Sequence, residues 1–349
     1  MISLARYAFL NAFLRARLSA RLDERFLASL ARAADLHEAA AMLLDTEYRP
    51  VAAAIEQGAA PEAAEKLLIE LEIERHRAIL RHAKGAVAGF VFALLELYDV
   101  GKVERIVRIW SEKAWEERDG IIADTICREI PVEAMLKASG IEEIILLLEE
   151  TPYRKPLVSA YPQYRRTGKL FFLESAIEID YYRRLGEAVR GLGRADRLAA
   201  ARIIGTEVDI RNIENLLRLM RYTGLTAEEA RRTLLPGGCR LREDLLLRAY
   251  TAKDPRAVVE TLAGVSLPSS AAAARAADAL EQLRFVGTLL EEALASEARQ
   301  ALSGFPFGIG TVIAYLSLSR AESWRVRRIL AGKSLGIAAE QLVRSAAGA

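Results

Sequence analysis

The chain has 349 residues, of which 52% are hydrophobic and 28% are charged, which is enough for one large core or for two to three domains. The formal net charge is only +2, so composition gives no reason to expect a nucleic-acid-binding surface. Glycine and proline are sparse, and long tracts rich in Ala, Leu, Arg and Glu repeat with helical periodicity. We therefore predict an all-α protein.

Further features bear on the cellular setting. The two cysteines, Cys127 and Cys239, are too few for a disulfide framework or a cysteine-based metal site, which favours a reducing cytosolic compartment. Arginines interrupt the apolar start of the chain, which argues against a signal peptide. The uncharged run 300–319 contains Pro306 and several glycines, so it predicts a buried helix after a Gly-rich turn and not a membrane span. We expect a soluble protein.

The first predicted element is an amphipathic helix over residues 2–21. Its apolar residues recur at steps of three and four, and its arginines lie largely off that stripe. The stripe consists of Leu4, Tyr7, Leu10, Leu14 and Leu18. We expect this helix to pack on the body of the protein, with a helix lying on a membrane surface as the alternative.

A short helix pair follows, and its closing motif occurs twice. Asp35 is predicted to cap a helix that ends before the sequence Thr-Glu-Tyr-Arg at 46–49. Gly140 precedes a similar helix that ends before Thr-Pro-Tyr-Arg at 151–154, which is 105 positions later. A third copy is predicted after Asp254, without the Thr-x-Tyr ending. Each of these pairs is followed by a long predicted helical stretch, at 61–82, 169–192 and 271–299.

A second motif recurs with a period of 110 residues. The segment Leu94–Ile109 aligns without gaps with Ile204–Leu219, and a weaker third copy, Ser319–Ile329, carries Ser319 in place of the acidic start. Three pairs are identical between the first two copies, namely Asp99/Asp209, Glu104/Glu214 and Arg108/Arg218. Because an aspartate before an apolar-periodic run is a helix-start signal, we predict that Asp99 and Asp209 are the N-caps of equivalent helices.

The two recurring motifs appear in the same order with nearly the same period, which is typical of homologous repeats. We predict three helical units of about 110 residues. The clearest break is the Leu-Pro-Gly-Gly-Cys-Arg sequence at 235–240, where proline and two glycines end one helix. The predicted boundaries are 1–128 for the N-terminal helix with the first unit, 129–238 for the second unit and 239–349 for the third.

A search for catalytic motifs gives no candidate residues. The three histidines are not spaced as metal ligands on one helix face, and there is no Cys-x-x-Cys pair. The Gly-Gly at 237–238 is not followed by Lys-Ser or Lys-Thr, so it is not a P-loop. A nucleophile elbow and a dinucleotide fingerprint are also missing. We predict no catalytic, cofactor-binding or metal residues and a chain that works by binding.

The ordered set of motifs resembles the C subunit of bacterial and archaeal V/A-type rotary ATPases, which is related to the d subunit of the eukaryotic vacuolar enzyme. The resemblance covers nearly the whole chain. It rests on the sequences Tyr-Ala-Phe-Leu-Asn-Ala at 7–12 with Arg15 and Arg17, Leu-x-x-Thr-x-Tyr at 43–48 and 148–153, Glu-Val-Asp-x-x-Asn-Ile at 207–213, Leu-Pro-Gly-Gly at 235–238, and Pro-Phe-Gly-Ile-Gly at 306–310 with Ala-Tyr-Leu at 314–316.

The resemblance implies a funnel of three related helical units around a pseudo-threefold axis. It further implies a non-catalytic central-stalk subunit, peripheral to the membrane on the cytoplasmic side, that couples the axle (D- and F-type subunits) to the proteolipid ring. Such a subunit would be present as one copy per complex and would serve ATP-driven or ATP-forming proton or sodium transport. The alternative is an α-helical repeat scaffold in another multiprotein complex.

The arginines of the long repeat are the candidate interface residues. Arg108, Arg218 and Arg328 are spaced by 110 positions, so they would occupy equivalent places in three equivalent units. Either they pair with acids inside the protein, or some of them meet the axle or the ring. Between residues 300 and 349 there are six basic residues against two acidic ones, which favours Arg325 and Arg328 for the second role.

Overall fold

The computed structural model describes residues 2–221, 225–252, 292–304 and 306–346. In that part of the chain the regular structure is helical and there is no β-strand, which confirms the prediction of an all-α protein. A 3₁₀ helix, Trp115–Gly120, and a helical segment, 292–303, accompany the α-helices. The α-helices are α1 Ile2–Ser19, α2 Glu24–Arg32, α3 Leu36–Leu43, α4 Arg49–Glu56, α5 Pro61–Leu80, α6 Gly85–Glu112, α7 Val132–Leu136, α8 Ile141–Leu147, α9 Arg154–Thr167, α10 Phe171–Arg190, α11 Arg194–Arg221, α12 Ala227–Arg231, α13 Glu243–Ala252, α14 Ile309–Ser334 and α15 Ala339–Ala346.

Most of the predicted helices are confirmed. The apolar stripe of α1 is buried at Tyr7, Leu10 and Leu14. The stretches 61–82 and 169–192 form α5 and α10, and the uncharged run near the C-terminus contributes the buried start of α14. The predicted third short helix after Asp254 and most of the stretch 271–299 lie outside the described residues.

Side-chain caps explain where several short helices begin. The Asp23 carboxylate accepts a hydrogen bond from the Phe26 amide (2.7 Å) at the start of α2. Asp35 accepts from the Glu38 amide (2.8 Å) at the start of α3, which confirms the predicted cap. The Glu38 carboxylate in turn accepts from the Ala34 amide. These reciprocal bonds satisfy amides that the first helical turn leaves without partners.

The described chain divides into two compact units. The first unit is discontinuous and contains 1–154 and 315–349, whereas the second contains 155–314. One apolar core of the first unit joins side chains of α2, α3, α4 and α5, and Tyr48 just before α4, to side chains of α14 and α15; it includes Leu30, Val51, Ile329 and Leu342. The C-terminal helices therefore complete the core that the N-terminal helices begin.

The second unit has its own apolar cluster. Phe171 and Phe172 at the start of α10 pack with Leu219 of α11 and Ala230 of α12. The compact units do not share their boundaries with the three predicted repeats at 1–128, 129–238 and 239–349. The repeat boundaries concern duplication in the sequence, and they stay a prediction.

Candidate functional site

The predicted N-caps, Asp99 and Asp209, are the first site residues that the structure places. Asp99 lies in the middle of α6, which begins at Gly85 after Lys84, and Asp209 lies in the middle of α11, which begins at Arg194. The prediction that they cap these helices is therefore wrong. The physical reason is that the buried apolar pattern continues upstream of each aspartate, as at Phe90 before Asp99, so the helix does not begin there.

Asp99 instead holds the loop that follows its helix. The carboxylate is fully buried, and its Oδ2 accepts from the Arg128 amide (2.8 Å) and from the Tyr153 hydroxyl (3.3 Å). One helical turn further on, the buried Lys102 ammonium donates to the carbonyl oxygens of Ala123 (3.3 Å) and Asp124 (3.1 Å). We call Asp99 and Lys102 the first loop clamp, because both side chains fix the segment 123–128.

Asp209 performs the same task in the second unit. Its carboxylate is also fully buried and accepts from three consecutive backbone amides, those of Cys239 (3.2 Å), Arg240 (2.7 Å) and Leu241 (3.2 Å). One turn further on, the Asn212 side chain exchanges two hydrogen bonds with the backbone of Leu235, at 3.1 and 2.7 Å. Asp209 and Asn212 form the second loop clamp.

The Gly-Gly sequence permits the close approach of this loop. A Cβ atom at Gly238 would lie 2.3 Å from Oδ1 of Asp209, a separation that real Cβ atoms essentially never show. Gly238 therefore packs against an internal carboxylate and not a phosphate, which agrees with the missing Lys-Ser or Lys-Thr.

Burial governs the protonation of both aspartates. It raises the pKa of Asp99 and of Asp209, and it outweighs the amide hydrogen bonds that favour the charged form. Burial also lowers the pKa of Lys102, although the Asp99 charge opposes that shift. Removing one partner from either clamp should therefore lower the free energy of unfolding, because it leaves a buried polar group without its hydrogen bond.

The two Thr-x-Tyr motifs have the same local geometry. Thr46 and Thr151 each donate to the carbonyl oxygen three residues back, of Leu43 and Leu148 respectively, at 2.7 Å in both cases. Each hydroxyl then accepts from the amide of the following tyrosine, Tyr48 at 3.1 Å and Tyr153 at 3.3 Å. Both tyrosine side chains are fully buried. The motif is therefore a turn that aims a tyrosine into the core.

Each of these tyrosines donates to a buried acid on a long helix. Tyr153 reaches Asp99 of α6, and Tyr48 reaches Oε1 of Glu322 on α14 at 3.0 Å. Glu322 also accepts from the Leu22 amide (3.1 Å) and forms an ion pair with Arg21 (3.0 Å). Burial raises the pKa of Glu322, and Arg21 opposes that shift. Glu322 therefore ties the α1–α2 connection and the Tyr48 turn to α14.

A buried arginine completes this network. Arg75 of α5 donates to the Ser323 hydroxyl (2.7 Å), to the Ser319 carbonyl oxygen (3.2 Å) and to the Glu47 carboxylate (2.6 Å). Neither Glu322 nor Arg75 was among the residues predicted from the sequence. A signal for Glu322 exists, because it aligns with Lys102 and Asn212, one turn after the position where Ser319 replaces an aspartate. The three aligned residues differ in type, which conceals their shared position.

The candidate interface arginines have different surroundings. Arg108 is exposed on α6, and the side chain of Arg218 lies outside the described part. Arg325 forms a bidentate ion pair with Glu24 of α2. The Arg328 guanidinium lies over the Trp324 ring, 4.4 Å from its centre. Arg325 and Arg328 share α14 and the first unit, and their role at an interface stays a prediction.

Two general findings concern the described residues as a whole. They contain no group of three or more His, Cys, Asp or Glu side chains placed to hold a metal ion. None of the described helices combines the length and the apolar character needed to cross a bilayer. The charged side chains that are buried serve to hold helices and loops together.

Comparison with known proteins identifies the family of this chain. The family of the ATP synthase (C/AC39) subunit matches residues 10–344. The C subunit of the A-type ATP synthase of Methanosphaera stadtmanae is 25% identical over 338 residues, covering 94% of this chain and 84% of the relative. That of Halorubrum lacusprofundi is 27% identical, with 79% and 80% covered, and that of Methanocaldococcus jannaschii is 23% identical, with 98% and 86% covered.

The chain belongs to the ATP synthase (C/AC39) subunit family. It is therefore a subunit of a rotary ATPase, as the resemblance in the sequence implied. The expectation of a structural subunit without catalysis of its own agrees with this membership.

Proposed function

We propose that this subunit is the adaptor that couples the central axle of a rotary ATPase to the membrane proteolipid ring. The observation that carries the proposal is the family match, which spans residues 10–344. In this role the subunit lies on the cytoplasmic side, peripheral to the membrane, as one copy per complex. Its partners are the D- and F-type axle subunits and the ring, and the complex transports protons or sodium ions.

The buried hydrogen bonds between helices and loops support a mechanical role. An adaptor that passes torque must deform little, and packed interiors have low compressibility. In the first unit, Asp99, Glu322 and Arg75 each join segments that are distant in the sequence through buried hydrogen bonds. In the second unit, Asp209 and Asn212 do the same for the segment 235–241. Such contacts resist sliding of one helix or loop along another.

The pattern of these contacts also favours the predicted threefold arrangement. Tyr153, from the second predicted repeat, reaches α6 of the first, and Tyr48, from the first, reaches α14 of the third. We propose that the three repeats surround a central opening that receives the foot of the axle.

A bridging assay tests the proposal. The purified axle subcomplex is immobilised, and the detergent-solubilised proteolipid ring is added with and without this subunit. We expect the subunit to bind each partner and to increase retention of the ring on the axle. Equal retention of the ring without the subunit would contradict the proposal. The isolated subunit should also show no ATP hydrolysis.

A further inference from the structure

An exposed surface of aromatic and basic side chains lies where α1 passes the turn between α5 and α6. Phe9, Phe13 and Arg17 follow one another at steps of four residues, along the edge of α1 next to its buried apolar stripe. The His82 ring, in the turn, lies 4.5 Å from the centre of the Phe9 ring and 5.6 Å from that of Phe13. Lys84 is exposed in the same turn. We call these residues the α1 patch.

The patch is open to solvent although its rings touch one another. Phe9 is 57% exposed, Arg17 and His82 are exposed, and Phe13 is half-buried. The Arg17 guanidinium lies 4.9 Å from the centre of the Phe13 ring. Such a contact with an aromatic face orients the cation but does not neutralise its charge. Apolar surface and positive charge therefore lie side by side.

The surroundings of the patch are basic. Helix α1 contains no acidic residue, and none occurs in the sequence between Glu74 and Glu96. Glu74 itself pairs with Arg81 (2.8 Å). Within the described part of the chain, no carboxylate forms an ion pair with Arg17 or Lys84. The positive charge of the patch is therefore available to an external anion.

The opposite end of the α5–α6 pair has the opposite charge. Arg105 of α6 pairs with Glu65 of α5 (3.8 Å), and Tyr98, seven residues earlier, donates to Glu72, seven residues later (2.7 Å), so the two helices run antiparallel. The patch lies at the start of α6, and the segment 112–119 lies at its end, about 40 Å away. That segment has four acidic and two basic residues, all exposed.

The second unit has a turn of similar composition at the aligned position. Arg194 aligns with Lys84 in the 110-residue period, and it begins α11 as Lys84 precedes α6. Residues 188–206 contain four arginines and a single acid, Asp196. Leu198 is 68% exposed there. A basic turn beside an exposed apolar side chain is thus common to two of the predicted repeats.

We infer that the α1 patch binds an anionic lipid surface, with Phe9 at the boundary between headgroups and acyl chains and with Arg17 and Lys84 beside lipid phosphates. Clusters of basic side chains are attracted to anionic leaflets, and an exposed aromatic ring adds apolar contact. Repulsion directs the acidic end of the α5–α6 pair away from the same surface. The inference rests on the proposed function only for the nearness of the membrane, and it adds lipid as a partner beside the ring.

Cosedimentation with lipid vesicles tests the inference. The full-length subunit is mixed with vesicles of phosphatidylcholine alone or of phosphatidylcholine with phosphatidylglycerol. We expect binding to the anionic vesicles only, and weaker binding as the salt concentration rises. Arg17→Glu with Lys84→Glu should weaken it by at least about tenfold. Lys137→Glu with Lys155→Glu changes the net charge equally at exposed positions outside the patch, and it should change binding less than about twofold.

The aromatic contribution has its own matched pair. Phe9→Ala removes the exposed ring and should weaken binding to the anionic vesicles about fivefold. Leu146→Ala is the control, because Leu146 is 59% exposed on α8. The melting temperature of each variant shows whether the fold is kept, and binding is compared among variants that melt like the wild type.

The outcomes separate this inference from the proposed function. If the wild-type subunit does not bind anionic vesicles, the lipid assignment is wrong, and the adaptor function is judged by the bridging assay alone. If the patch and control variants lose the vesicles equally, net charge explains the binding and the patch assignment is wrong. If the patch variants keep the vesicles but lose the solubilised ring, the patch is a protein interface and the lipid assignment is again wrong.

Discussion

The two loop clamps occupy equivalent positions, 110 residues apart, yet different donors bind their buried acids. At Asp99, the Arg128 amide and the Tyr153 hydroxyl share the carboxylate. At Asp209, three consecutive amides do so, and no tyrosine is needed. One turn later, Lys102 binds two carbonyl oxygens, whereas Asn212 binds both a carbonyl oxygen and an amide.

This difference shows which property the two sites have in common. Both place a fully buried carboxylate at mid-helix and both use it to anchor the loop that follows, although the donors have changed. Three amides can reach Asp209 because Gly238 has no side chain, so the backbone of this loop can lie close to the carboxylate. The first clamp has Arg128 in its loop and uses a tyrosine from the next short helix pair instead.

The largest expected effect comes from removing either carboxylate. Asp209→Ala leaves three backbone amides without their acceptor, so we expect the free energy of unfolding to fall by about 3 kcal/mol. Asp99→Ala should cost somewhat less, about 2 kcal/mol, because it removes the acceptor of two donors and not of three. Urea unfolding gives both values, and hydrogen exchange at the Arg240 and Arg128 amides shows where protection is lost. Unchanged protection of Arg240 in Asp209→Ala would contradict the clamp.

A second prediction concerns Gly238, the glycine that lies against the carboxylate of the second loop clamp. Gly238→Ala places a methyl group against the Asp209 carboxylate, and we expect a loss of about 2 kcal/mol in urea unfolding. Gly101→Ala is the matched control, because its Cβ would meet nothing within 4 Å in the middle of α6. That substitution should stabilise the protein slightly. Equal effects of the two would show that the close approach at Gly238 is unimportant.

The tyrosine contacts should differ in strength. Tyr153→Phe removes one hydrogen bond to Asp99 and should cost about 1 kcal/mol. Tyr48→Phe should cost more, since its hydroxyl lies within hydrogen-bonding distance of Glu322 (3.0 Å), Arg75 (3.2 Å) and Ser323 (3.3 Å). Both variants keep the ring and its packing, so thermal melts compare the hydroxyls alone. A larger loss for Tyr153→Phe would reverse the order that the contacts predict.

The smallest expected effect is a pH dependence of the first clamp. Because burial raises the folded-state pKa of Asp99, its stabilising contribution is present below about pH 4 and declines as the pH rises through the raised pKa. Asp99→Asn cannot titrate, so the stability advantage of the wild type over this variant should shrink from low to neutral pH. Exposed acids with a depressed pKa, such as Glu228 at about 2, are present in both proteins and cancel. An advantage that grows with pH would contradict the raised pKa.

The sequence predicted the helices better than it predicted their starts. Asp35 and Asp99 each precede an apolar run, but only Asp35 caps a helix. The two cases differ in what lies upstream, since the residues before Asp99 continue the buried pattern of α6. An aspartate does not start a new helix where the residues before it are already helical, because burial of the whole apolar face stabilises the longer helix.

The site residues are harder to predict, for a different reason. Asp99 and Asp209 stand out because they are identical in two repeats, but their partners include backbone amides 29 to 32 positions later, and an amide leaves no signal in the sequence. Lys102 and Asn212 share a position without sharing chemistry. Arg325 stands out by its charge, and the structure pairs it with Glu24, a contact between residues 301 positions apart.

If the axle is coupled to the proteolipid ring through this protein, ion transport driven by ATP hydrolysis should depend on its presence. The complete rotary complex and a complex assembled without this subunit are placed in sealed vesicles, and ATP hydrolysis and ion uptake are measured on the same preparation. We expect ion uptake per ATP to fall to background without the subunit while ATP hydrolysis continues. Ion uptake per ATP that is unchanged without the subunit would contradict it.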